Sequence, residues 1–175
     1  MDRLTNPLVW LRRFRHRCGY GVHSPFAFRF LTEVVYERLP YYAYAELDRR
    51  LRWSERWRVR RTLHLLLRIA NRMQPSQIVV PVPMPLAEPY LQAGSRRATL
   101  GRSARPEGTA LFLLAEPTEA VLPHLAPGSV LLLDRLHQHR EWFGKLPATV
   151  TFDLYDLGIA FFDPRLNRQH YIVNF

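Results

Sequence analysis

Asp134 closes the apolar run SVLLLD (129–134), and a carboxylate at the carboxyl end of a buried strand stands where open α/β sheets hold ligand groups. It can serve there as a substrate or metal ligand, or it can cap the helix that follows. His137 and His139 come next in an HQH pair whose imidazoles can share one face of an extended segment. No acid or cysteine cluster at ligand spacing accompanies them, so no metal is assigned. His124 is read as a surface residue. The chain holds no Gly-x-Ser-x-Gly elbow, no Ser/His/Asp or Cys/His set at recognisable spacing and no phosphate-binding P-loop. Hydrolase and P-loop nucleotide chemistry are therefore left without the residues to perform them.

The second group of chemistry-bearing residues is basic. Of 25 Lys and Arg, Lys145 is the sole lysine, and against 15 acids the formal net charge is +10. Residues 1–72 carry 16 Arg against six acids, whereas residues 73–175 hold nine of each sign. Arg49, Arg52, Arg56, Arg60 and Arg61 crowd one stretch in which Trp53 and Trp57 lie a helical turn apart. Such a surface can hold RNA or DNA phosphates in guanidinium forks and stack bases on its indoles. The same residues also describe a solvated helix face whose tryptophans pack on a neighbour. No helix-turn-helix, zinc-finger or RNA-recognition signature accompanies them.

These groups must be positioned by two kinds of element. Residues 1–74 read as an Arg-rich helical region. Asn6 and Pro7 open a helix over 7–17, and Ser24 followed by Pro25 caps a second that ends before Pro40, with Phe26, Phe30, Leu31 and Val34 as its buried stripe. From Glu46 to Gln74 leucines recur at three- and four-residue spacing, over a length that predicts a break near Ser54. Residues 75–175 change texture. QIVV, TALFLLA, SVLLLD, TVTFDLY, GIAFFD and HYIVNF are short apolar runs bounded by Pro, Gly or Ser. QIVV, TALFLLA and SVLLLD are continuous, as in parallel strands covered on both faces. Crossover helices fit between them, and the polar link PRLNRQ predicts a closing antiparallel hairpin from the last two runs. With 175 residues, 47% of them hydrophobic, the two regions together suit one domain. A single cysteine, Cys18, and the lack of a signal peptide or a membrane-length apolar run point to a cytoplasmic protein without disulfides.

The blocks GYGVHSPFAFRFLTEVVYERLPYYAYAELDRR, LLLRIANRMQPSQIVV, SVLLLDRLHQHREW and VTFDLYDLGIAFFDPRLNRQHYIVNF resemble, in order, those of a group of small class I S-adenosylmethionine-dependent methyltransferases similar to O-methyltransferases. GVHSPF and DLGIAFF carry most of the specificity. The resemblance implies a seven-stranded Rossmann-like sheet whose last strand is antiparallel, preceded by helices over the cofactor cleft. It implies further that Tyr20 and His23, in the cleft-covering segment, and Glu116, at the pocket rim, touch the cofactor. Asp134 and His137 would flank the methyl acceptor, one of them removing its proton during attack.

Set beside that pattern, the chain departs from it in three places. The turn after QIVV reads PVPMPLAEP, with prolines where the family has an acid and glycines, so amide donors are missing. After RATLG comes arginine where a carboxylate would accept the ribose hydroxyls. Only 28 residues separate Val80 from Thr109, a span one strand-helix unit short. The fold class expected is thus a shortened methyltransferase-like α/β sheet with N-terminal helices and a C-terminal hairpin. Three functions follow: a non-catalytic interaction module with a degraded cofactor site, an active small-molecule O-methyltransferase using S-adenosylmethionine, or a non-specific nucleic-acid binder acting through the arginines. For the first, the sheet edge left by the missing strand suits a protein partner or a second copy.

Overall fold

The computed structural model describes residues 22–105 and 108–175, with the side chains of residues 55–58 left aside. The helix expected over 7–17, and Tyr20, lie outside the described residues. The chain forms two compact units. One contains the chain up to Gln74 together with Pro85–Arg96 and Asn174–Phe175, and the other contains Pro75–Met84 and Arg97–Val173.

In the helical unit, Ser24 and Pro25 act as expected. Ser24 Oγ accepts from the Ala27 amide at 3.4 Å and Pro25 occupies the first turn of helix α1 (Pro25–Phe30). The helix continues through Val35 as a π-helical turn, in which the Tyr36 amide reaches back five residues to the Leu31 carbonyl. Ala27, Phe30, Leu31, Val34 and Val35 are its buried face. Helix α2 (Tyr44–Arg49) and the long helix α3 (Trp53–Met73) follow. The predicted break therefore falls at Arg50–Arg52, a turn earlier than Ser54. Leu63, Leu66, Ile69 and Ala70 of α3 are fully buried. Helix α4 (Glu88–Gly94), with Pro89 in its first turn, packs on α3 at very short range. A Cβ placed on Gly94 would stand 2.3 Å from the Leu67 carbonyl oxygen and 2.8 Å from Ala70 Cβ.

The sheet unit holds seven strands: β1 (Gln77–Val79), β2 (Thr99–Gly101), β3 (Ala110–Leu114), β4 (Ser129–Asp134), β5 (Val150–Asp153), β6 (Leu157–Phe162) and β7 (Gln169–Ile172). Their order is β2-β1-β3-β4-β6-β5-β7. All run parallel except β6, which lies antiparallel between β4 and β5. This mixed sheet with its helices makes an α/β fold compatible with the Rossmann-like class. Every residue of β3, β4 and β6 is buried, in keeping with their unbroken apolar runs. Phe112, Leu131, Leu133 and Ala160 pack with Leu136, Phe143 and Leu146, the latter group from a short 3₁₀ turn (Leu136–Gln138) and from helix α5 (Arg140–Gly144) and its end.

The expected hairpin is corrected. The antiparallel pair is β5 with β6, joined through Leu154–Asp156, whereas β7 pairs parallel with β5. Both edges of β6 are already taken by β4 and β5, so β7 cannot pair with it and adds instead to the far side of β5. Burial explains which run goes inside. LGIAFF is apolar on both faces, but QHYI alternates half-buried and exposed residues and suits an edge. The other edge, β2, exposes Thr99 and Leu100.

Candidate functional site

Parallel strands β3, β4 and β5 end on the same side of the sheet, and the β5–β6 turn returns there. The Leu136 amide bonds the Asp156 carbonyl at 3.1 Å and the His137 amide bonds that of Tyr155 at 2.9 Å, so the segment after β4 is laced to the β5–β6 turn. Asp134, His137, Asp153, Tyr155 and Asp156 are thereby gathered at one carboxyl edge, where open α/β sheets bind ligands. His137 lies parallel to the Tyr155 ring, with centroids 4.9 Å apart. Its Nδ1 stands 3.4 Å from Asp156 Oδ1 without hydrogen-bond geometry, and that nitrogen is buried without a hydrogen-bond partner. Asp153, at the end of β5, accepts from the Tyr155 amide at 2.7 Å and from Arg140 Nε at 3.0 Å. The Arg140 guanidinium lies 5.3 Å from the Tyr155 ring centroid.

Two residues of this edge sit in the left-handed region: Arg135 at φ 51° and Tyr155 at φ 74°. For residues with side chains this backbone is strained, a condition found at ligand sites. Asp134 itself is 5% exposed. Burial pushes its carboxyl pKa up, opposed by the Arg135 amide and guanidinium. A cavity of about 430 Å³ beside this cluster is walled by Arg140, Phe143, Thr151, Asp153, Arg168 and His170.

The predicted residues are distributed as follows. Asp134 and His137 share the carboxyl edge. Glu116 follows β3, where its Oε1 accepts from Arg135 Nη2 at 3.1 Å, and the same nitrogen reaches the Ala115 carbonyl. Its charge is thus engaged by the residue after Asp134. His23 belongs to the helical unit and is exposed just ahead of the Ser24 cap. Arg49, Arg52, Arg60 and Arg61 are exposed, Arg56 lies in α3, and Trp53 is 84% exposed. Among the described residues no group of three or more His, Cys, Asp and Glu is arranged to hold a metal, and no helix is long and apolar enough to cross a membrane. Asp153, Tyr155, Asp156 and Arg140 were missed from sequence. The signal was the DLYDLG turn, whose two aspartates follow a strand and precede a buried one.

A second polar cluster was also missed. In the helical unit, Asp48 of α2 accepts from His64 Nε2 of α3 at 2.9 Å and from the Tyr90 hydroxyl of α4 at 2.8 Å. The His64 ring stacks on Tyr44 with centroids 3.6 Å apart. Its signal was His64 and Arg68 standing four residues apart within an apolar helix stripe. Burial lowers the His64 pKa from its ordinary 6.5, against the pull of Asp48, with Arg60 and Arg68 lowering it further. A histidine that stays neutral in the fold but takes a proton when unfolded stabilises most above 6.5 and loses that stability as pH falls toward its folded pKa. The melting temperature is accordingly expected to fall between about pH 7.5 and about pH 5.5. His64→Gln should flatten that part of the profile in a thermal melt followed by circular dichroism. An unchanged slope would exclude His64 as its source.

Comparison of the chain with protein-family models, with curated proteins and with solved structures gives no match.

Proposed function

We propose that the chain is a class I methyltransferase-like protein whose cofactor crevice has been lost and which acts as a non-catalytic interaction module. The carrying observation lies where the strand order reverses, between β1 and β3, the place such sheets receive a nucleotide-bearing cofactor. There the chain leaves β1 through Pro81, Pro83 and Pro85, which have no amide to offer. Arg102, following β2, donates from Nη1 to the Val80 carbonyl at 3.0 Å. A guanidinium is thus bonded across the ends of β1 and β2 where a ribose carboxylate would be needed. These residues do not fit S-adenosylmethionine. The antiparallel β6 inserted between β4 and β5 supports the kinship, and β2 as the only strand on its side of β1 among the described residues supports the loss of one unit. The exposed β2 edge suits a protein partner or a second copy.

Titration calorimetry of the full chain with S-adenosylmethionine is expected to give no saturable heat. Micromolar binding would overturn this reading in favour of an active O-methyltransferase. For that second reading the specific support is the strained backbone around His137, with its unpartnered Nδ1 beside Asp156, which offers a proton acceptor for a hydroxyl group.

A further inference from the structure

Arg68 is a buried cation, 6% exposed, whose hydrogen bonds run to neutral groups. Its Nε donates to the Val34 carbonyl, Nη2 to that of Val35 and Nη1 to the Tyr44 hydroxyl. A guanidinium has five N–H donors, so two are left over. None of the three partners brings negative charge, and a buried charge is costly until something does.

Arg68 lines a cavity of about 600 Å³ whose wall also contains Arg38, Arg60, Arg61 and His64. Among the described residues, the carboxylate in that wall is Glu37, and its Oε1 already accepts from the amides of Arg38 at 2.6 Å and Leu39 at 2.8 Å. Asp48 lies 3.9 Å from Arg60 Nε and is held by His64 and Tyr90. Among the described residues the wall therefore carries four guanidinium groups and one carboxylate. The volume falls within the range of small-molecule sites.

We propose that this cavity binds a phosphate group, with Arg68 at its base and Arg38 and Arg60 at its open side. A dianionic phosphate supplies the missing counter-charge in a way a single carboxylate does not. Its several acceptor oxygens can take both remaining Arg68 donors and the forks of the exposed arginines. The inference is independent of the methyltransferase kinship, since every residue it uses belongs to the helical unit.

The full chain, titrated with inorganic pyrophosphate at low salt in a calorimeter, is expected to bind it saturably. The double variant Arg38→Gln/Arg60→Gln should bind about tenfold more weakly or worse while melting at the parent temperature. The double variant Arg29→Gln/Arg50→Gln, which removes equal charge at two exposed residues of the same unit outside the cavity wall, should bind as the parent does. A single-stranded oligonucleotide distinguishes the sources. If pyrophosphate displaces it, the occupant is a nucleic-acid phosphate; if pyrophosphate binds and no oligonucleotide competes, the occupant is a small phosphorylated molecule. Either result supports the site. No saturable pyrophosphate binding, or equal weakening by both double variants, would overturn it.

Discussion

Gly94→Ala is expected to destabilise the chain by about 3 kcal/mol. The new methyl would be placed 2.3 Å from the Leu67 carbonyl oxygen and 2.8 Å from Ala70 Cβ. The first contact is with backbone, which cannot swing aside as a side chain does. Helices α3 and α4 would have to separate, and α3 is anchored by its fully buried Leu63, Leu66 and Ile69. Alanine's better helix propensity returns about 1 kcal/mol at most, which the overlap outweighs. Against a typical total of about 5–15 kcal/mol, the loss is large. In a protein of this size it lowers the melting temperature by roughly 10 °C. Gly144→Ala, where nothing lies within 4 Å of the added Cβ, is the matched control and should stay within about 0.5 kcal/mol of the parent. Equal melts for the two variants would show that α3 and α4 do not approach as closely as described.

The second large effect is at Arg68. Where α1 runs out through its π-helical turn, the carbonyls of Val34 and Val35 find no further helix amide and are instead met by Arg68 at 2.6 and 3.1 Å. Arg68→Met keeps most of the aliphatic stem but removes both donors, leaving two buried carbonyls unsatisfied at about 1–3 kcal/mol each. Removing an unneutralised buried cation offsets part of that cost. The carbonyls dominate because they remain buried in the variant, and the net expected loss is about 3 kcal/mol. Arg68→Lys should fall between parent and Met, since an ammonium is a compact point charge and not a planar fork. Chemical denaturation measures the loss, and hydrogen exchange at residues 31–36 locates it. A Met variant as stable as the parent would mean that water satisfies these carbonyls equally well.

Much of the fold was legible because its elements are locally encoded. Ser24 and Pro25 mark a helix start by their own chemistry, and the unbroken runs ALFLL and SVLLLD announce strands buried on both faces. Asp134 at the end of such a run was readable as an edge group for the same reason. What failed was pairing. A six-residue polar link is compatible with a hairpin, and nothing in PRLNRQ reveals that β6 has no free edge left to bond.

The candidate sites show the same division. Composition and local periodicity determined by themselves that a basic helical part precedes a neutral α/β part, and that the turn after QIVV is crowded with Pro81, Pro83, Pro85 and Pro89, which offer no amides. Only the tertiary structure decided that His137 meets Asp156 and Tyr155, that Arg135 engages Glu116, and that Asp48, His64 and Tyr90 form one cluster. Those partners are 19, 16 and 42 residues apart in the Arg135–Glu116, His64–Asp48 and Tyr90–Asp48 pairs. Periodicity reports only which face of an element is apolar. Which polar groups meet depends on strand order, register and helix packing, and those are set by burial over the whole unit. Arg68 is the plainest case: its place in an apolar stripe four residues from His64 marks it as unusual in sequence, but only packing against the end of α1 gives it the Val34 and Val35 carbonyls as partners.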